Sequence, residues 1–115
     1  MDKKTANDDF FKIAYIILDE LYACLKKGIK VNLDTISPER FKIEEGYLIE
    51  ILWNLQNKGC IDGSKIITSE AGTRLVRNLS QIKITAEGIR YLQENPQMQK
   101  ICSELEKVTD WATGL

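Results

Sequence analysis

The chain contains no histidine. That absence removes Ser-His-Asp triads, Cys-His pairs and every histidine-ligated metal site. Cysteine is scarce: Cys24, Cys60 and Cys102 show no CxxC and no zinc-ribbon spacing, so neither a metal knuckle nor a disulfide framework is expected. An odd count leaves one thiol over in any pairing, and buried reduced thiols in a cytoplasmic protein are the expected state. A basic excess is missing too, with 16 Lys and Arg against 17 Asp and Glu and a net charge of −1. A domain built mainly to grip phosphates carries a cationic surplus, so any nucleic-acid contact here must come from a local patch. Long apolar runs are absent as well. The stretch from Phe10 to Leu25 is broken by Lys12, Asp19 and Glu20, which predicts neither a membrane span nor a secretory signal.

What is present fits one soluble domain. The 115 residues are 43% apolar and 29% charged, an ordinary globular balance with enough chain for one core. The acidic pairs Asp8-Asp9, Asp19-Glu20 and Glu44-Glu45 are neighbours in sequence. Within a helix such neighbours point about 100° apart, so they read as solvated surface and helix N-terminal charge rather than as acid–base pairs. Gly59, Gly63 and Gly72 form neither GxGxxG nor a Walker loop. The chain is therefore read as non-enzymatic, with no catalytic residue, no cofactor and no metal expected.

Along the chain, residues 1–8 are expected to be a flexible N-terminus, and a first helix should start near Asn7 or Asp8 and stop at Gly28. Its apolar residues cover about 200° of the wheel, wider than a helix packed on one side needs, so it must be covered from two directions. Ile29-Lys30-Val31 allows one small strand, and residues 32–41 a short helix with a possible boundary at Ser37-Pro38. Residues 44–58 read as a third helix with the core stripe Leu48, Ile51, Leu52 and Leu55. From Cys60 the period changes. Residues 60–67 and 79–84 are expected to pair as two strands around a loop of about a dozen residues. Thr85 caps a fourth helix, with Ile84 and Ile89 placed as a hydrophobic staple, and Asn95-Pro96 ends it and opens a fifth.

Three helices followed by a hairpin is the winged-helix plan: mostly α with a small antiparallel hairpin, an α+β domain over 9–95 with an extra C-terminal helix over 96–115. The segments DDFFKIAYIILDELYACLKKG, LDTISPERFKI, KGCI and IKITAEGIRYLQEN resemble the YjcQ-like family of small winged-helix proteins from Gram-positive bacteria and their phages. That resemblance implies the fold and a DNA-binding heritage, but no mechanism.

The two elements that could touch DNA differ in charge. The third helix is the expected recognition helix, and the face opposite its core stripe carries Gly46, Glu50, Trp53, Asn54 and Asn57, with Lys58 at its end. Asparagines suit adenine edges, but residues 31–55 carry a local −3 that repels phosphates. Residues 56–83 carry a local +3 from Lys58, Lys65, Arg74, Arg77 and Lys83 against Asp62 and Glu70. The expectation is thus a DNA-binding, regulatory module led by the wing residues Lys65, Arg74, Arg77 and Lys83, with Arg74 and Arg77 in its loop. The competing reading is a protein-contact module using the Glu50, Trp53 and Asn54 face, with no DNA binding. Trp53 is either such an interface residue or lies under the wing or second helix.

Met98, Ile101, Leu105, Val108 and Ala112 repeat at spacings of 3 and 4, a narrow seam. Two heptads are too short to stand alone. They are expected to pack on Phe11, Tyr15, Leu18 and Tyr22 of the first helix, near Cys102. A monomer follows from that packing, and a homodimer is the rival if the same stripes meet between chains.

Overall fold

Helix α1, Lys3–Lys27, is the axis on which the other elements pack. The structure, a computed structural model, describes the backbone of residues 3–107 and the side chains of residues 9–105. α1 begins before the predicted cap at Asn7 or Asp8, because Lys3, Lys4 and Ala6 are helix formers that continue the turn. It ends as expected at Gly28, whose φ is +69°. There the Gly28 N–H donates to the Leu25 carbonyl and the Ile29 N–H to that of Cys24, a Schellman closure. Ile13, Ala14, Ile17, Leu18, Leu21 and Cys24 are buried. The helix is covered by α3 (Glu45–Asn57) and the hairpin, and also by α4 (Ala86–Glu94) and α5 (Pro96–Lys107). Phe10 meets the ring of Tyr47 on α3 at 6.0 Å, whereas Tyr15 and Tyr22 line a groove against α4 and α5.

No strand forms at residues 29–31. Only three residues separate the α1 closure from Asn32, whose side chain accepts the Asp34 N–H and starts a 3-10 turn, Leu33–Ile36. No strand among the described residues is left for residues 29–31 to pair with, since 61–62 pair with 83–84 and 65–68 with 74–77. Ser37 then caps α2, Pro38–Phe41, by accepting the Arg40 N–H. The stretch 32–41 is thus two short pieces divided at Ser37. α2 closes through Lys42 in the left-handed region at φ 57°.

In α3 the residues Leu48, Ile51, Leu52 and Leu55 are all buried, as their spacing predicts. Gly59, at φ +75°, closes the helix, with the Cys60 N–H donating to the Leu55 carbonyl. The hairpin that follows consists of two ladders rather than one. β1 (Ile61–Asp62) pairs with β4 (Lys83–Ile84), and β2 (Lys65–Thr68) with β3 (Arg74–Arg77), both antiparallel. They break at Gly63, φ +87°, where a Cβ would lie 1.9 Å from the Gln81 carbonyl oxygen.

The hairpin corrects the expected strand limits in two places. Residues 74–77 are strand and not loop, because the β-branched pair Ile66 and Val76 and the pair Ile67 and Leu75 match across the ladder. The turn shrinks to residues 69–73, closed by the Ser69 N–H on the Thr73 carbonyl. Residues 79–81, expected as strand, form a 3-10 turn after Asn78, which adopts φ 56°. Helix α3 is tied to this hairpin by one side chain. The Gln56 amide donates to the Ile66 carbonyl at 3.0 Å and accepts its N–H at 2.8 Å.

Thr85 caps α4 by accepting the Gly88 N–H, and its hydroxyl also donates to the Gly59 carbonyl. The Asn95 side chain accepts the N–H groups of Gln97 and Met98 and so opens α5. α5 lies against α1 and α4, with Met98 and Ile101 buried and Leu105 packed at the core edge. Val108, Trp111 and Ala112 lie outside the described residues. The result is mostly helical with a small antiparallel hairpin, an α+β, winged-helix-like arrangement. Among the described residues no helix is long and apolar enough to cross a membrane.

Candidate functional site

Side chains alternate across a strand, so the β2–β3 ladder has two faces. Ile66, Val76 and Arg74 share the face turned to α3, while Lys65, Ile67, Leu75 and Arg77 share the outer one. This pleat sorts the expected wing cations. Arg74 belongs to the inner set: its Nε donates to Glu50 Oε2 at 3.0 Å, and its guanidinium lies 4.3 Å from the Trp53 ring centre. A cation over an indole is worth about 0.5–1 kcal/mol at a partly wet site, and a half-exposed ion pair adds about as little. Arg74 is therefore a clamp between β3 and α3, which corrects its placement on an open loop. The clamp also settles Trp53, which is half-buried beneath it.

Lys65 and Arg77 stand directly opposite each other in register, and both are exposed. Neither has an ion-pair partner among the described residues. Like charges facing each other across a ladder destabilise it slightly, so folding alone gives no reason for this pair. Lys83 is exposed on β4, opposite Asp62.

The exposed face of α3 is less open to a ligand than its sequence suggests. Glu45, Gly46, Glu50, Asn54 and Asn57 are exposed. Glu50 is engaged by Arg74, and the Asn54 amide donates to the Glu50 carbonyl at 2.8 Å. Lys58 turns away towards α4, its Nζ 5.6 Å from the Tyr91 ring centre. Between the start of α3 and the hairpin turn lies a groove of about 390 Å³, lined in part by Glu45, Glu50 and Thr73. Arg74 also lines it but is held by Glu50, so the remaining Glu45 charge disfavours a phosphate.

Cys24 and Cys60 are buried as expected, but Cys102 is only half-buried because it lies on the flank of α5 that borders the Tyr15–Tyr22 groove. Burial pushes the Cys60 thiol up, against the opposing pull of Lys58 and with a small push from Glu87. A raised, fully covered thiol is a poor nucleophile. Burial likewise raises Asp19, opposed by Lys26 and helped by Glu20.

Sequence reasoning missed the Arg74–Trp53–Glu50 clamp and the Gln56 tie. The available signal was the apolar core of RLVR, residues 74–77, mirroring that of KIIT, residues 65–68, across the Gly72 turn. It gives the register that puts Arg74 and Arg77 on opposite faces, while α3 decides which of them faces inward.

Residues 15–111 match the family described as YjcQ protein. The chain belongs to the YjcQ family. No curated protein and no solved structure matches it. The YjcQ match begins inside α1 and takes in α3 and the whole hairpin, so the clamp and the outer cations all lie within the family's span.

Proposed function

We propose that this YjcQ-family protein is a non-enzymatic, regulatory binding module that holds duplex DNA by its backbone through the outer face of the hairpin. Lys65 and Arg77 lead, Lys83 lies apart from them on the other ladder opposite Asp62, and α3 plays no major-groove role. The observation that carries this reading is the opposed, exposed Lys65–Arg77 pair. Two cations held at one place without counter-charge repel each other until a phosphate lies across them. The acidic and internally bonded face of α3 argues against base reading there.

Fluorescence anisotropy with a duplex of about 20 base pairs, titrated over salt, tests the proposal. The log–log slope should be shallow, and each of Lys65→Ala and Arg77→Ala should lower it by roughly 0.9. Arg74→Ala should leave the slope unchanged. Absence of retention even at about 50 mM salt would end the DNA reading, because electrostatic contacts are strongest there.

One observation favours a second reading, in which the module contacts a protein. Leu75 is 45% exposed beside Ile67 on this same outer face, and a paired apolar patch suits a partner's side chains. Leu75→Ser would weaken that contact while leaving the salt slope on DNA intact, because it adds no charge beside Lys65 and Arg77. The Glu50, Trp53 and Asn54 face is a weaker choice for such a contact, because Arg74 already lies over it.

A further inference from the structure

A groove of about 510 Å³ lies between the end of α1 and the chain entering β4. Leu21, Leu25 and Ile29 form one apolar wall and Ile82 part of the other, while Lys30 and Lys83 line it from opposite elements. Two features set it apart from ordinary surface. Leu25 is 46% exposed and Ile29 57% exposed, the two most open of the four exposed large apolar side chains among the described residues. No acidic residue occurs between Glu20 and Asp34, a stretch that contains Lys26, Lys27 and Lys30. Lys26 is turned aside over the Tyr22 ring at 4.4 Å, but Lys27, Lys30 and Lys83 are exposed without an ion-pair partner among the described residues. Asp62, opposite Lys83 on β1, is the one acid brought near by the register.

We infer that this groove docks a short acidic and apolar segment of a partner protein. Apolar side chains of the segment cover Leu25 and Ile29, and its carboxylates meet Lys30 and Lys83. Both halves of the chemistry are needed. A DNA backbone would satisfy the lysines but has nothing to place on Ile29, whereas a purely apolar ligand would leave two cations facing it at the rim. The volume lies in the range of sites that hold a small ligand or a few side chains, about 300–1,000 Å³. The groove is separate from the outer face of β2–β3, so this inference stands whether or not DNA binds there.

The test uses the full chain labelled with ¹⁵N and a blocked peptide of about six alternating Glu and Leu residues, roughly 20 Å when extended. The expected result is saturable shifts of the amides of Leu25, Ile29, Lys30, Ile82 and Lys83. Alkylation of Cys24, which also lines the groove, should slow. The Lys-and-Leu counterpart should leave these signals in place. Ile29→Asp and the double variant Lys30→Glu with Lys83→Glu should each weaken binding by about tenfold or more. All three positions are exposed, and an unchanged melting temperature verifies that the variants fold. Equal binding of both peptides, shifts confined to other regions, or no saturation at millimolar peptide would overturn the inference. So would displacement of the peptide by the DNA duplex from these same amides, which would assign the groove to nucleic acid.

Discussion

Arg74 and Arg77 belong to one four-residue strand, three positions apart, yet they meet opposite surroundings. Arg74 lies against Trp53 and Glu50 on α3, and Arg77 stands in solvent facing Lys65. A charge tally over the segment counts them alike, whereas the pleat gives one a structural task and leaves the other for a ligand. The lesson concerns the local +3 of the hairpin: part of it is already spent inside the fold. Cations available to a partner are those on the outer face, and they are fewer than the sequence lists.

The severest way to break this division is at Gly63, which holds the two ladders in place. Gly63→Ala would press a methyl group onto the Gln81 carbonyl and force a side chain into positive φ. A loss of about 3 kcal/mol or more is expected in denaturant unfolding. Next comes a matched pair on opposite faces. Ile66→Ala, on the buried side at 2% exposure, should cost about 2–4 kcal/mol, whereas Leu75→Ala on the outer side should stay within about 0.5 kcal/mol. Equal losses would mean that the outer face is packed in solution.

Arg74→Ala should cost about 1 kcal/mol through the lost indole contact and pair, and should increase the exposure and red-shift the emission of Trp53. Glu50→Gln sharpens the contrast from the other side. By loosening Arg74 without deleting it, this change should leave the salt slope on DNA unchanged, because the pleat keeps the guanidinium on the face opposite Lys65 and Arg77. The smallest effect is Lys65→Glu, which turns a repelling cross-strand pair into an attracting one. It should add a few tenths of a kcal/mol, about 0.2–1, to stability while abolishing retention of DNA.

The contrast also shows where sequence is a good guide. Punctuation is local, so Gly28, Ser37, Gly59, Thr85 and Asn95 stop and start their helices where their chemistry says they should. The α3 stripe is local as well, since four residues at helical spacing need only one neighbour to bury them. Failures arise where a partner lies far along the chain. The polar tract 68–78 looks like loop until Ile66 and Ile67 supply the opposing strand. Ile29–Val31 has strand composition but finds no register. Arg74 meets Glu50 across 24 positions, and no window of sequence contains both the strand pleat and the helix face that make the contact.

The Gln56 amide has a consequence for how this hairpin behaves among other proteins. An unpaired strand margin invites a foreign strand to add to it, the usual route to edge-to-edge aggregation. On β2 the N–H and C=O of Ile66 are already occupied by the Gln56 side chain, which stands in for one peptide unit of a neighbouring strand. A single glutamine thus blocks the middle of the β2 margin, at Ile66, without adding a strand. It also fixes the hairpin at one angle to α3, so the outer cations are presented on a surface that turns only when the helix turns with it.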